Sequence, residues 1–398
     1  MDCAFSARRK TNCIVQGGIK INEVIVFHHP LPVVENGSSG SQVRPYQMLQ
    51  GFRKLGYDVE LVAGYVKERK QRANKVKEQL AKGQRFSFVY SESSTMPTLL
   101  TELNHLPITP KVDFGLLSEM KAAGVPIGLY YRDIHWKFKH YQTMTNWYKR
   151  KVAVQFYKYD WIMYRKIVDK LFIPSYKMAK VLPTPWPEEH LGILPPGCIV
   201  HEQIRSKPQT NGLRLFYVGG VTPPLYDLKP MVELAKNTPG IHLTICCRSK
   251  EWKGISGYYA IGDKANITIV HTQGDGLAEL YAQADLFFLL RVPDPYLDFA
   301  VPVKLLESMG YGVPVVTTSG TEAAQFVAAN DVGWVVSGDD ELKQLLHRLQ
   351  NNPAELAKKR QQVIRAREKH TWQERARTAA KMLTSGSTCL RDIEVACR

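Results

Sequence analysis

The sequence predicts an α/β protein made of two successive units, and three observations lead there. Its 398 residues exceed what one ordinary core organises. Apolar runs of strand length alternate with helical stretches from residue 21 to residue 174, and the alternation restarts at Leu213. Between the two series lie a Pro-rich patch, residues 183–196, and a polar segment, residues 201–212. The expected layout is a disordered leader over 1–20, a first unit over 21–190, a linker over 191–212, a second unit over 213–370, and a terminal helix with a loose tail over 371–398.

In the first unit, residues 21–27 read as an apolar strand and residues 30–41, PLPVVENGSSGS, as a loop dense in turn formers. A helix follows over 44–54, with Tyr46, Leu49 and Phe52 apolar and Gly56 closing it, and then a strand over 59–63. Strand-like runs at 86–90, 127–131 and 171–174 complete the unit. The second unit opens with a strand over 213–218 that ends in Gly219 and Gly220, a helix near 228–236 and a strand over 241–247. Strands at 267–270 and 286–290 flank a helix over 277–283. A helix over 322–329, a strand over 333–336, a charged helical stretch over 340–369 and a last helix over 370–382 close the chain.

The stretch between strands at 286–290 and 313–317 carries the densest chemical information. Pro302 suits the first turn of a helix, Gly310 and Gly312 suit its end, and Lys304 and Glu307 stand three apart, hence on one face. The helix starts beyond the C-terminal end of a strand, where open α/β sheets bind ligands, and N–H groups around Phe299, Ala300 and Val301 favour an anionic phosphate there. By local sequence alone, an ordinary crossover with its charges in water fits equally well.

Composition narrows the classes. The 53 basic residues exceed the 37 acidic ones, giving a formal charge of +16 and an expected attraction to something anionic. Residues 132–170 interleave Lys137, Lys139, Lys149, Arg150, Lys151 and Lys158 with Trp136, Trp147, Tyr148, Phe156, Tyr159 and Trp161. That mixture suits a helix lying on an anionic membrane surface, or a core helix whose lysines reach past apolar neighbours to water. No nucleic-acid-binding module accompanies the charge, so nucleic acid is not an expected partner. The seven cysteines show no C-x-x-C pair, and residues 1–20 lack the apolar core of a secretory signal, so reduced thiols in a cytoplasmic protein are expected.

Several chemistries lose support by inspection. The chain has no D-x-D pair, no H-E-x-x-H, no G-x-S-x-G, no G-x-x-x-x-G-K-[ST] and no G-x-G-x-x-G. What is present, PVKLLESMGYGVPVVTT, resembles the signature of retaining family-4 glycosyltransferases. Also similar, in order along most of the chain, are GSSGSQVRP, PIGLYYRD, PSYKM, ILPPG, YVGG and ELYAQADLFFLL. The resemblance implies the GT-B fold, in which two Rossmann-like domains face a central cleft, the first taking acceptor and the second the nucleotide sugar. The terminal helix would pack back on the first domain.

The same resemblance supplies candidate roles. Glu307 would bind the ribose hydroxyls and Lys304 the diphosphate or sugar, while the family's first glutamate, seven residues before the second, falls on Phe299. The Gly-Arg cation after the first strand of the second domain falls on Gly220, next to Gly219. Arg248, ending the strand LTICCR, is a substitute cation or a solvated loop charge, as are Lys253 and Lys229. Asp133 matches a family aspartate near acceptor, with Arg132 where relatives carry histidine and His135 two residues beyond. Gly40 and Ser41 would contact acceptor or phosphate, Arg44 would bind acceptor or donor phosphate or else lie on the helix surface, and His28 and His29 end a strand facing the cleft.

The implied activity is transfer of a sugar from a nucleotide diphosphate sugar to a hydroxyl of a saccharide or lipid-linked acceptor, in cell-surface polysaccharide or glycoconjugate synthesis. The anomeric configuration would be retained, with no metal and no cofactor beyond the donor, on a cytoplasmic protein or one peripheral to the inner face of the plasma membrane. Lys304, Arg248 and helix-terminal amides would stabilise the leaving diphosphate, and Asp133 would meet the acceptor. Two other readings stay open: a nucleotide-sugar epimerase of the same fold, and a non-catalytic glycan-binding or accessory subunit.

Overall fold

The protein is described by a computed structural model over residues 23–385, apart from 36, 38, 108, 145, 203–211, 263–265, 275 and 293. The leader, residues 203–211 of the linker and the tail beyond Ser385 lie outside those residues. Twelve strands among the described residues form two sheets of six. The first contains β1 (Val24–His29), β2 (Asp58–Ala63), β3 (Val89–Glu92), β4 (Ile127–Tyr130), β5 (Lys170–Ile173) and β6 (Leu191–Ile193), in the order β2-β1-β3-β4-β5-β6. The second contains β7 (Leu213–Val218), β8 (Ile241–Cys246), β9 (Ile267–Val270), β10 (Leu286–Leu289), β11 (Val315–Thr318) and β12 (Gly333–Val336), in the order β12-β11-β10-β7-β8-β9.

Every pairing in both sheets is parallel. That is why the strands read as continuous apolar runs, since helices cover both faces. The helices of the first half are α1 (Gly40–Lys54), α2 (Val66–Ala81), α3 (Val112–Ala122), α4 (Lys139–Met144), α5 (Trp147–Ile167) and α6 (Tyr176–Ala179). Those of the second are α7 (Lys229–Asn237), α8 (Ser249–Tyr259), α9 (Gly276–Gln283), α10 (Val303–Gly310), α11 (Glu322–Ala329), α12 (Asp339–Asn351) and α13 (Pro353–Arg367). The last helix, α14 (Trp372–Thr384), returns to the first sheet, burying Trp372, Ala376, Ala379 and Leu383 with Phe27, Phe52, Tyr130 and Phe172.

Several local expectations are corrected. The stretch 340–369 is two α-helices: α12 ends before Asn352, and Pro353 opens α13, where its missing N–H leaves nothing unsatisfied. The Pro-rich patch holds a sixth strand, β6, because its three residues pair with Leu171–Ile173. Helix α1 begins at Gly40, four residues before the expected start, with Pro45 inside it. Pro302 is the N-cap of α10 rather than part of its first turn.

The chain passes between the halves twice, and the two crossings touch. Cys198 and Thr371 form an isolated parallel bridge, with Cys198 N–H donating to His370 O (2.8 Å) and Trp372 N–H to Cys198 O (3.3 Å). Gly197 permits that approach, for a Cβ there would stand 2.6 Å from the Trp372 nitrogen. No helix among the described residues is long and apolar enough to cross a membrane.

Candidate functional site

Strand order reverses between β1 and β3 in the first sheet and between β10 and β7 in the second. Crevices beyond the C-terminal ends of strands at such points are where open sheets hold ligands. The helices leaving these points meet there: a Cβ on Gly40, the first residue of α1, would lie 3.1 Å from Val303 Cγ2, at the first residue of α10. Two helix N-termini therefore converge, each with the partial positive charge of unbonded N–H groups. In α10, Leu305 N–H already reaches Pro302 O (3.1 Å), which leaves the amides of Val303 and Lys304 at the open turn.

Lys304 and Glu307 stand together as their spacing predicted, with Nζ 2.6 Å from Oε2, and both side chains are about one quarter exposed. Tyr281, on α9, donates its hydroxyl to the same oxygen at 3.3 Å. The Lys304 charge also reaches the end of β8, where it partly offsets the burial that raises the Cys246 thiol pKa. Arg248, two residues beyond, is the N-cap of α8 and exposed.

The loop after β7 explains its own departure from the resembling pattern. The Gly220 carbonyl accepts the Tyr217 hydroxyl (2.6 Å), and a Cβ on Gly220 would stand 2.8 Å from Tyr226 Cδ2. The ring of Tyr226 fills the space that a side chain at 220 needs. Gly219 is as confined, 2.8 Å from the Tyr217 hydroxyl. Glu251 fastens the loop by accepting from Val221 N–H (2.8 Å) and Thr222 Oγ1 (2.9 Å). Lys229 and Lys253 are exposed, Lys229 with its ammonium 5.0 Å from the Tyr258 ring centroid.

Arg44 is the clearest correction in the first half. Instead of facing a ligand it is 2% exposed, with its guanidinium carbon 3.3 Å from the Tyr130 ring centroid and Nε 3.2 Å from Glu92 Oε1. Glu92 is wholly buried, and its other oxygen accepts from Arg132 Nη2 (3.3 Å). Arg132 also donates to Gly40 O (3.0 Å), tying the end of β4 to the start of α1, while its buried Nε has no hydrogen-bond partner. Ser41 Oγ lies 2.8 Å from Ser39 Oγ beside this contact.

Asp133 and His135 do come together, with Nδ1 3.3 Å from Oδ2. Asp133 Oδ1 accepts from the amides of Ile134 (2.6 Å) and His135 (3.0 Å), and Oδ2 accepts the Tyr296 hydroxyl from the second half (3.0 Å). His28 and His29 are both buried. His28 bridges Ser91 Oγ (2.8 Å) and Asp113 Oδ1 (2.9 Å), and burial pushes the His29 imidazole down to about 3, so it stays neutral. Neither reaches the cleft.

Phe299, Ala300 and Val301 are also placed otherwise than as donor contacts. Phe299 is 5% exposed and belongs to the core of the first half, with Phe138 and Tyr296 rings each 5.9 Å away and its carbonyl accepting Ser175 Oγ (2.6 Å). Ala300 N–H is taken by Leu297 O (3.1 Å), and Val301 is buried among second-half side chains. The segment between β10 and α10 is thus a strap gripping the first half.

Sequence reasoning passed over four residues here: Tyr281, Tyr296, Glu92 and Arg291. Arg291 directly follows the apolar run of β10, a position that signals the sheet's ligand edge. Its charge lowers the pKa of both Tyr217 and Tyr296 against the effect of burial, and it lines a cavity of about 210 Å³ with Asp227 and Thr318. A larger cavity, about 350 Å³, lies at the opposite edge of the first sheet beside Lys121, Asp169 and His190, away from this constellation. Among the described residues no group of three His, Cys, Asp or Glu side chains is placed to share a metal ion.

Residues 228–381 match the family model described as glycosyl transferase-like. No curated protein matches the sequence. Among solved structures, HepE of Anabaena in complex with UDP and glucose is similar with a TM-score of 0.59 at 12% identity, over 92% of this chain and 100% of that one. Sucrose-phosphate synthase of Thermosynechococcus elongatus gives 0.60 at 12%, over 94% and 100%. WaaG, a glycosyltransferase involved in lipopolysaccharide biosynthesis, gives 0.55 at 15%, over 91% and 100%. At such identities the likeness is one of fold, and the fold is GT-B, two Rossmann-like halves about a cleft.

Proposed function

We propose that this protein is a retaining, metal-independent glycosyltransferase that moves a sugar from a nucleotide diphosphate sugar to a saccharide or lipid-linked hydroxyl, in the synthesis of a cell-surface polysaccharide or glycoconjugate. The observation that carries the reading is the Lys304–Glu307 pair on α10, a helix whose first residue closely approaches the first residue of α1. Glu307 offers a carboxylate to a ribose diol. Lys304, the Val303 and Lys304 amides, and Arg248 or Arg291 offer positive charge where the bond to the anomeric carbon breaks and charge grows on the departing diphosphate. The acceptor hydroxyl attacks on the face the diphosphate leaves, its proton passing to a departing phosphate oxygen, and Asp133 orients that hydroxyl. UDP-binding by the Anabaena neighbour supports a uridine donor.

A lipid-linked acceptor is supported by the outer face of α5. Tyr148, Val152, Tyr159 and Ile162 are exposed along one side of the helix, with exposed Lys151, Lys158 and Arg165 beside them. An apolar stripe rimmed by cations fits an anionic bilayer surface and would put the enzyme at the inner face of a membrane. A nucleotide-binding protein without transferase activity is the competing reading, favoured by Phe299 filling the position of the family's first glutamate.

The deciding experiment is calorimetric titration with nucleoside diphosphates, followed by incubation of the preferred nucleotide's sugars with saccharide and lipid-linked acceptors. The proposal expects binding that Glu307→Ala weakens at least tenfold and a product of the donor's anomeric configuration by NMR. Binding without turnover on any acceptor supports the competing reading, and no nucleotide binding refutes both.

A further inference from the structure

The carboxylate of Glu307 is held on one oxygen only. Lys304 Nζ (2.6 Å) and the Tyr281 hydroxyl (3.3 Å) both donate to Oε2, and no described residue is bonded to Oε1. Two donors converging on one oxygen fix the plane of the carboxylate and present the other oxygen in a defined direction. Tyr281 is fully buried, and burial raises its pKa well above the ordinary phenol value, so its hydroxyl remains a donor at any working pH.

Tyr281 is itself fixed by rings. It stacks on Tyr311 (centroids 4.8 Å, planes 9° apart), and Tyr311 stacks on His201 (3.8 Å, 6°). His201 sits on the first crossing between the halves and is pinned to the end of α10, its N–H donating to Gly310 O (3.1 Å). Arg367 clasps the same place, with Nη1 donating to Gly310 O (2.8 Å) and His201 O (3.0 Å). A Cβ on Gly310 would lie 2.1 Å from Ile199 O, so crossing and helix are in direct contact. An unbroken set of contacts thus runs from the chain crossing through three stacked rings to the Glu307 carboxylate.

We propose that Tyr281 is a positioning residue for Glu307, and that the Tyr281–Tyr311–His201 stack makes recognition of a ribose diol depend on the seating of the inter-half crossing. The inference rests on the reading of Glu307 as a ribose-binding carboxylate. It adds which residue aims that carboxylate and where the aim is set. Loss of the Tyr281 hydroxyl leaves Glu307 paired to Lys304 alone and free to rotate, so the ability to tell a ribose from a deoxyribose falls before affinity for the diphosphate does.

The test is calorimetric affinity for UDP, GDP and ADP, each against its 2′-deoxy counterpart, in wild type, Tyr281→Phe, His201→Ala and Glu307→Ala, with melting temperatures recorded alongside. For the preferred nucleotide the wild type favours the ribo form. Tyr281→Phe should lower that ratio about tenfold, as expected for one hydrogen bond to a charged acceptor. His201→Ala, at a half-buried position, should lower it about threefold without a change in the hydroxyl itself. If Glu307→Ala abolishes the preference while Tyr281→Phe and His201→Ala keep it, the positioning role is wrong and the ribose reading stands. If the wild type shows no preference, or binds no nucleotide, the ribose reading falls and this inference with it.

Discussion

Replacing Arg44 with methionine separates two accounts of one residue. The sequence offers Arg44 as a phosphate contact at the head of a helix, whereas the fold buries it between Tyr130 and Glu92 with a further hydrogen bond to Tyr90 (3.4 Å). Arg44→Met keeps an unbranched side chain in place and removes the charge. Glu92 then remains buried, with Tyr90 (2.9 Å) and Arg132 (3.3 Å) as its remaining donors. Breaking a buried pair by deleting one partner costs about 3–5 kcal/mol, and the two surviving donors put the expectation near the lower end, about 3 kcal/mol. Unfolding entropy of about 2.1 cal/mol/K per residue gives about 0.36 kcal/mol/K for a half of about 170 residues, hence a fall in Tm of about 8 °C if that half melts alone and about 4 °C if both melt together. Differential scanning calorimetry reads the shift, and titration calorimetry should find nucleoside diphosphate affinity within about twofold of wild type. A variant that melts within about 1 °C of wild type yet binds nucleotide tenfold more weakly would refute the buried-pair account and restore the phosphate contact.

Three further outcomes are expected. Gly220→Arg, which restores the cation of the resembling family, must displace the Tyr226 ring and should lose about 1–3 kcal/mol in urea denaturation, with Tyr226→Ala in the same chain recovering part of it. Phe299→Glu puts an unpaired carboxylate among Phe138 and Tyr296, so it should lower Tm by several degrees and reduce turnover rather than improve it. Asp160 is held by burial at about 7, above its unfolded value, with Oδ1 unpartnered and Oδ2 accepting from Thr98 N–H (2.7 Å). A carboxyl raised in this way loses native stability as pH climbs from about 4 through 7, at about 1.4 kcal/mol per unit, and none above. Asp160→Asn should therefore match wild type in thermal denaturation at pH 4 and exceed it by up to about 4 kcal/mol at pH 8, and equal stability at both would sink the assignment.

Much of this architecture is legible in residue order because parallel strands are buried on both faces and leave apolar runs that local sequence shows. Residues 213–218, 267–270 and 333–336 are strands at the expected bounds. Elements whose existence depends on a partner were not legible. β6 is three residues among prolines and is a strand only because β5 lies alongside.

The candidate site divides the same way. Lys304 and Glu307 share a face through helix spacing alone, and their ion pair follows from sequence. Tyr281, 26 residues before Glu307, reaches the same carboxylate only because α9 and α10 pack on one face of the second sheet. Tyr296 meets Asp133 across 163 residues, and Glu92 joins Arg44 to Arg132 over separations of 48 and 40. By itself the sequence determined the alternation of elements, the two sheets and the charge pair at the head of α10, because these depend on periodicity and neighbours within a few residues. Only the tertiary structure decided that Arg44 and Phe299 turn inward, that Tyr226 excludes a side chain at 220, and that rings from the chain crossing hold Glu307. Burial and close approach are set by segments far apart in the chain, and no local pattern encodes them.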